Sequence, residues 1–118
     1  MDQKWSINYY KTASKKSPIE EFIDNLTSAA QIKVGDTFDF LKEFGINVGM
    51  PHAKKVAGTP LWELRILGQD SIRIFYITQK GRIFLLLHGF LKKKQKTDKK
   101  EIDTALKRLT EYQLRDKD

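Results

Sequence analysis

The spacing of the apolar residues predicts two helices in the first half of the chain. Between residues 18 and 45 the apolar residues recur every three or four positions, as on one face of a helix. Ser17 and Pro18 are typical of a helix start, so the first helix is expected to begin there. A second helix is predicted to begin near Ser28 and to end at Gly45, and the residues that follow are expected to form a loop.

After Lys54 the spacing changes to the alternation that is typical of strands. In the segment LWELRIL, Trp62, Leu64 and Ile66 fall on one face, expected in the core, and polar residues fall on the other. The segments SIRIFYIT and RIFLLLHGF follow as antiparallel strands, and Gly81 indicates a hairpin between them. The last strand is apolar on both faces, which predicts a central position in the sheet.

Three further elements complete the predicted fold. Residues Trp5–Tyr10 are rich in aromatic side chains and are expected to form a first strand, and KKVAG a short edge strand. The final helix is predicted to begin at Asp98, with Glu101 completing a capping box. This order indicates one small α+β domain over residues 1–118: an antiparallel β-sheet with two helices from the N-terminal half and a C-terminal helix.

The positive charge of the chain is concentrated between the last strand and the last helix. Six of the nine residues from Lys92 to Lys100 are lysine. The formal net charge of the whole chain is +7, which favours a polyanionic partner such as nucleic acid, or an acidic protein. Cysteine is absent, and we see neither a secretory signal nor an apolar run long enough to span a membrane. We therefore expect a cytoplasmic protein with no membrane partner.

Four polar residues interrupt the apolar strands: Glu63, Arg65, Arg73 and His88. Two have an ordinary explanation, the solvent face of a strand for Arg65 and a hydrogen-bonded core position for His88. Arg73 is harder to explain in this way, because a charge among bulky apolar residues costs several kcal/mol unless it is paired. Antiparallel pairing is expected to bring these side chains and the start of the lysine cluster onto one concave face.

The residue types argue against several kinds of chemistry. There is no nucleophilic cysteine, His52 and His88 are not at metal-ligand spacing, the carboxylates do not cluster, and no glycine-rich phosphate loop is present. We therefore expect no metal and no cofactor. The chemistry that remains open is that of cationic groups placed around a phosphodiester. RNA can be cut in this way without a metal, because its own 2′-hydroxyl attacks the adjacent phosphorus. Arginine suits the phosphorane, and a lysine crowded by other cations can act as acid or base.

Three segments carry a resemblance to a known family. LWELRI, SIRIFYI and LLLHGFLKKKQKTDKKEIDTALKRLTEY resemble the RelE/ParE superfamily of bacterial toxins, and within it the HigB-like, phage-derived branch of type II toxin–antitoxin systems. The match covers Lys54 to Tyr112. It implies the RelE-like fold and an endoribonuclease that cleaves messenger RNA on the ribosome, leaving a 2′,3′-cyclic phosphate and a 5′-hydroxyl. It also implies a helix-turn-helix, HigA-like antitoxin, through which alone the toxin would contact operator DNA.

The resemblance also assigns roles to particular residues. Arg73 matches the phosphate clamp, Arg65 and Glu63 match a polar pair on the preceding strand, and Lys93 or Lys94 matches a basic residue after the last strand. The general base stays open among Glu63, Lys93 and His88, because the last helix does not start with the tyrosine that RelE itself uses. The residues expected to bind RNA are Lys54, Lys55, Lys92, Lys94 and Lys96.

Two other functions are also compatible with the expected fold or with the positive charge of the chain. One is a toxin that poisons DNA gyrase by binding it, as ParE-type members do, and the other is a non-enzymatic nucleic-acid-binding module. A protein that only binds does not need a convergent cationic centre. The combination of Glu63 with Arg65, Arg73 and Lys93 therefore favours the endoribonuclease.

Overall fold

The computed structural model describes residues 4–48, 53–66, 68 and 71–116. Within this part of the chain there are five strands and three α-helices. The strands are β1 (Ser6–Tyr9), β2 (Ala53–Lys55), β3 (Trp62–Arg65), β4 (Ile72–Gln79) and β5 (Ile83–Leu91). The helices are α1 (Pro18–Asp24), α2 (Ser28–Phe44) and α3 (Lys99–Asp116).

The five strands form one sheet in the order β1-β5-β4-β3-β2. Strands β2 to β5 make an antiparallel meander, and β5 lies inside the sheet, as its apolar sequence predicts. The expectation of an antiparallel sheet does not extend to β1, which pairs with β5 in parallel. Two helices separate β1 from the meander along the chain, and a connection of that length allows a parallel pairing. The predicted α+β class is confirmed.

Each face of the sheet is covered by helices, so the protein has two apolar layers. α1 and α2 pack on one face, where Leu64 and Phe84 are fully buried. α3 packs on the other face, where Phe75 is fully buried and Leu109 is almost so. Strands β4 and β5 are therefore apolar on both faces, and a charged residue within them lies close to a core.

The helix ends follow from short polar contacts. The hydroxyl of Ser17 accepts a backbone N–H from the first turn of α1, which confirms the predicted start. α2 begins at Ser28, as predicted, and its cap is Thr27, whose hydroxyl accepts the N–H of Ala30 at 3.1 Å. Gly45 ends α2 with a φ of 59°, a conformation that glycine adopts without strain.

Two predictions made from the sequence differ from the structure, one at Trp62 and one in the segment 45–52. Trp62, expected in the core, is 37% exposed. It lies on β3 beside the short edge strand β2, and the Lys55 ammonium lies 5.4 Å from the centroid of its ring. The segment 45–52, expected to be a loop, begins with a 3₁₀ turn at Gly45–Val48; its residues 49–52 lie outside the described residues.

A bulge in β5 changes which of its side chains face α3. Phe75 of β4 pairs with His88, but the next residue of β4 pairs with Leu86, so Leu87 is an extra residue in β5. Leu87 and His88 consequently both lie on the α3 side. Gly89 then faces α1, where the ring of Phe22 fills the space that a side chain would need.

Replacing this glycine is expected to destabilise the protein. In Gly89→Ala the new Cβ would lie 2.5 Å from a ring carbon of Phe22, and such overpacking lowers the free energy of unfolding by about 1–3 kcal/mol. The matched control is Gly35→Ala in the exposed middle of α2, where the new Cβ meets nothing within 4 Å. This control should raise the free energy of unfolding by about 0.4–1 kcal/mol. Urea unfolding measures both, and equal effects would contradict the packing described here.

Candidate active site

Two neighbouring rows of paired residues carry polar side chains on the face that α3 covers. Cross-strand neighbours lie close enough to interact, so each row is a continuous surface. The first row is Lys54, Glu63, Phe75 and His88, and the second is Arg65, Arg73 and Phe90. Glu63, Arg65, Arg73 and His88 therefore lie on one face of the sheet, in the arrangement that the strand pattern predicts.

The Glu63 carboxylate joins the sheet to the loop that carries the lysine cluster. It is only 9% exposed. Its Oε2 lies 3.4 Å from Arg73 Nε and 3.9 Å from Lys92 Nζ, and its Oε1 accepts a hydrogen bond of 2.9 Å from the Thr97 hydroxyl. A buried carboxylate is tolerated when it is paired and hydrogen-bonded in this way. Lys92 and Thr97 stand near the two ends of the loop, so one carboxylate holds both ends.

A cavity of ≈ 400 Å³ lies beside this carboxylate, and we call it the arginine cavity. Its lining residues are Arg65, Arg73, Lys92, Lys93, Lys94 and Gln95. Arg65 and Arg73 are direct partners on neighbouring strands, where like charges repel. Glu63 offsets part of this positive charge, and the remaining excess favours an anion in the cavity.

The Arg73 guanidinium is held firmly in the wall of the arginine cavity. Arg73 is 6% exposed, and its Nη1 donates to the backbone oxygen of Ile72 at 3.1 Å. Its Nε faces Glu63, as described above. A cation fixed by such contacts loses little conformational entropy when it binds an anion.

A second cavity, of ≈ 430 Å³, lies next to the arginine cavity, and we call it the edge cavity. The two cavities share Lys92, Lys93 and Lys94. The other residues that line the edge cavity are the charged Lys96, Asp98, Lys100 and Glu101, together with His88, Phe22, Gly89, Phe90 and Leu91. The structure thus places His88 in the neighbouring cavity and not among the arginines.

Both ring nitrogens of His88 are engaged in hydrogen bonds. Nδ1 lies 3.1 Å from Nη1 of Arg108, and Nε2 lies 2.8 Å from Oε1 of Glu101. A guanidinium can only donate, so Nδ1 accepts and the ring proton is assigned to Nε2, which donates to the carboxylate. Burial is the main cause that lowers the pKa of His88; Arg108 lowers it further and Glu101 opposes the shift. His88 is thus held as the neutral ring, with no nitrogen left to serve as a general base.

Sequence reasoning missed Thr97, Arg108 and the true contact of Glu101. The capping-box pattern assigned Glu101 to the start of α3, whereas its carboxylate accepts from His88. The predicted cap itself is confirmed, because Asp98 Oδ1 accepts the backbone N–H of Lys100 at 3.2 Å. Arg108 donates to the backbone oxygen of Leu87 at 2.9 Å as well as to His88. The Thr97 and Arg108 contacts each join residues 20 or more positions apart, and short-range patterns do not report such contacts.

The other predicted RNA-binding lysines are divided between two faces of the sheet. Lys54 is exposed and pairs with Glu63, so it lies on the face of the arginine cavity. Lys55, one residue later, lies on the opposite face over Trp62. Lys96 lines the edge cavity, and Lys94 lines both cavities.

Neither a metal site nor a membrane span is found among the residues that the structure describes. Within 4–48, 53–66, 68 and 71–116, histidine and acidic side chains do not gather in the groups of three or more that would hold a metal ion. In the same ranges, every helix is too short or too polar to cross a bilayer.

The state of His88 predicts a pH dependence of stability. Because its folded pKa is lowered, the unfolded chain binds a proton more readily, and stability is lost as the pH falls through the unfolded value of about 6.5. The free energy of unfolding should therefore rise between about pH 5.5 and 7.5, and His88→Gln should flatten this rise. The matched control is His52→Gln, which changes the other histidine of the chain. An unchanged slope in His88→Gln, measured by urea unfolding at several pH values, would contradict this account.

One comparison with known proteins identifies the family. A search of curated proteins finds no match to the chain. A family model described as "Phage derived protein Gp49-like (DUF891)" matches residues 21–110, which include the second half of α1, all of α2, the whole meander and most of α3. The two rows of paired polar residues, both cavities and the lysine loop fall inside the matched region. The chain therefore belongs to the Gp49-like family of phage-derived proteins, a toxin-like family of the RelE type.

Proposed function

We propose that this protein is the toxin of a type II toxin–antitoxin system, of the HigB-like branch, and that it cleaves messenger RNA on the ribosome without a metal ion. The observation that carries the proposal is the arginine cavity, where two arginines and three lysines meet around a space of ≈ 400 Å³. Membership of a toxin-like family supports the same conclusion. The substrate group in the cavity is a phosphodiester of the RNA backbone.

The reaction uses the RNA's own 2′-hydroxyl. A bond forms between the 2′-oxygen and phosphorus, the bond from phosphorus to the 5′-oxygen breaks, and one proton moves overall from the first oxygen to the second. Arg65 and Arg73 hold the non-bridging oxygens, whose negative charge grows as the phosphorane forms. The products are a 2′,3′-cyclic phosphate and a 5′-hydroxyl.

The acid–base role is best filled by Lys93 among the three candidates. His88 has both nitrogens engaged, and Glu63 is buried against Arg73 and Thr97. Lys93 is exposed and lines the arginine cavity. In the proposed step its ammonium donates a proton to the departing 5′-oxygen, the 2′-hydroxyl loses its proton to a water molecule, and Lys93 regains a proton from solvent.

Glu63 then acts as a positioning residue. It orients Arg73 and fixes the loop from Lys92 to Thr97 through its two oxygens. Lys54, Lys94 and Lys96 lie around the cavities and bind the RNA backbone without regard to sequence. In this proposal the catalytic residues are Arg65, Arg73 and Lys93.

The proposed partner is a HigA-like antitoxin with a helix-turn-helix domain. The chain carries a net charge of +7, and an acidic segment of the antitoxin laid over the lysine loop neutralises the surface that RNA needs. Operator DNA is contacted by the antitoxin and not by the toxin. Both proteins act in the cytoplasm, where the ribosome is the target.

Removing the charge of Lys93 or of the half-buried Arg65 should abolish toxicity. Lys93→Ala and Arg65→Ala each delete a charge from the transition-state site, and we expect cleavage of a ribosome-bound message to slow by about 10²-fold or more. The matched control is Lys107→Ala, an exposed lysine of α3, which should stay toxic. Growth arrest after induction and single-turnover cleavage measure these effects. Full activity in Lys93→Ala would remove that residue from the mechanism.

Arg73→Ala is informative only together with a stability measurement. Arg73 is the closest charged partner of the buried Glu63 carboxylate, at 3.4 Å, and its loss leaves a buried charge poorly compensated. For this reason the more exposed Arg65 and Lys93 are the better probes of catalysis.

The chemistry of the cut ends should distinguish this function from its rivals. The substrate is a message bound to ribosomes that have been cross-linked so that they stay assembled. On this substrate, cleavage should persist after EDTA has removed the magnesium that metal catalysis would need. Its 5′ ends should accept phosphate from polynucleotide kinase without prior phosphatase treatment, because they carry a hydroxyl. Intact messages together with an SOS response would instead favour the gyrase poison, and unimpaired growth would favour a non-enzymatic nucleic-acid-binding module.

A further inference from the structure

The edge cavity lies where β5 continues past β1. β1 pairs with β5 over Ile83–Leu86, and the cavity opens beside the residues of β5 that follow, His88 to Leu91. Phe22 of α1 forms one wall and Glu101 of α3 another. Its volume of ≈ 430 Å³ falls in the range of cavities that hold small organic ligands.

The cavity has an apolar part as well as a cationic rim. Phe22 is half-buried, and Leu91 is 45% exposed although it is a large apolar residue. Phe22 rests directly on Gly89, whose missing side chain leaves room for the ring. A flat apolar ligand that covered Phe22 and Leu91 would remove this surface from water, which is favourable.

Glu101 has the wrong sign for a cavity that binds only phosphate. The lining of the edge cavity holds this carboxylate and that of Asp98 beside Lys92, Lys93, Lys94 and Lys96. Asp98 already caps α3, because its Oδ1 accepts the backbone N–H of Lys100. A carboxylate repels a phosphate, but it accepts hydrogen bonds from N–H groups. Its presence beside the lysines therefore indicates a ligand that has both an anionic group and an edge of N–H donors.

The Glu101 carboxylate is held in place by a chain of hydrogen bonds through His88 to Arg108. Arg108 binds the Leu87 carbonyl and His88 Nδ1, and His88 Nε2 in turn donates to Glu101 Oε1. The side chains of His88 and Glu101 are only 13% and 21% exposed. The His88 bond occupies one of the four lone-pair positions of the carboxylate. A fixed acceptor of this kind can discriminate between ligand edges more sharply than a mobile one.

We propose that the edge cavity binds the nucleobase next to the phosphodiester in the arginine cavity, and that Glu101 selects guanine. Guanine is the base that presents two adjacent donors, N1–H and the N2 amino group, to a carboxylate. Cytosine and adenine offer one amino group beside an acceptor nitrogen, and uracil one N–H between two carbonyl oxygens. Because the two cavities share three lysines, they adjoin, and a base and its phosphate can occupy them side by side. This inference rests on the proposed function, because it assumes that RNA is the substrate.

The ligand can be varied while the protein stays unchanged. The probes are guanosine, inosine and adenosine monophosphates, each as the 3′ and the 5′ isomer, titrated into the full-length wild-type protein and followed by calorimetry or amide chemical shifts. Inosine lacks the N2 amino group, and adenosine has no donor at N1. We expect one guanosine isomer to bind about tenfold more tightly than the matching inosine and adenosine isomers. Equal affinities for the three bases would overturn the proposal.

A variant then tests whether Glu101 causes the preference. Glu101→Gln keeps the size of the side chain but replaces one acceptor oxygen by a donor, so the ratio of guanosine to inosine affinity should fall to about one. The matched control is Asp103→Asn, which makes the same charge change at an exposed position of the same helix and should keep the ratio. Thermal unfolding verifies that both variants fold; if Glu101→Gln does not, Glu101→Asp, which keeps the carboxylate on a shorter stem, should still prefer guanosine. A guanosine preference retained in folded Glu101→Gln would overturn the role of Glu101.

These binding results are separable from the test of the proposed function. A guanosine preference without cleavage of messenger RNA would remove the endoribonuclease and leave the nucleobase site. Cleavage that depends on Lys93, with no preference among the monophosphates, would remove the nucleobase site and leave the endoribonuclease.

Discussion

The Glu63 carboxylate is the contact on which the rest of the site depends. It is nearly buried, it faces Arg73 on β4, and through Lys92 and Thr97 it holds the loop between β5 and α3. Without a buried acid at this position, two arginines on paired strands would face each other without its compensation, and the lysine loop would lose two side-chain contacts to the sheet. One buried negative charge thus holds Arg73 and Lys92 close together beside Arg65. The position of the lysine loop and the electrostatics of the arginine cavity therefore depend on the same carboxylate.

The second organising feature is the bulge in β5. One extra residue places Leu87 and His88 on the same face, so that His88 reaches Arg108 and Glu101 under α3 while Gly89 receives Phe22 from the other side. The bulge therefore builds both walls of the edge cavity at once. Bulges often occur near functional sites because they redirect side chains without ending the strand. Here the redirected side chain is a neutral histidine that orients a carboxylate.

The sequence predicted those parts of the protein that depend on local signals. The start of α1 at Ser17, the hairpin at Gly81 and the inner position of β5 follow from side-chain chemistry within a few residues, and all three are confirmed. The shared face of Glu63 and Arg65 was equally predictable, because strand alternation fixes it.

Other parts of the site could not be read from the chain, for physical reasons. The bulge left no trace in the sequence, since β5 is apolar on both faces and a shift of one residue does not disturb its pattern. The D-x-x-E motif is compatible both with a helix cap and with the His88 contact that Glu101 makes, and its letters do not distinguish them. Thr97 meets Glu63 across 34 positions, a contact that exists only once the sheet has formed.

The parallel pairing of β1 with β5 has a consequence for how the chain is made. β1 emerges from the ribosome well before its partner, which begins at residue 83. β1 therefore has no place in the sheet until most of the chain has been synthesised, and the lysine loop and α3 follow immediately behind its partner. The segments from β5 onward complete the hydrophobic core and the cationic surface together, so a nascent chain that stops before β5 lacks both.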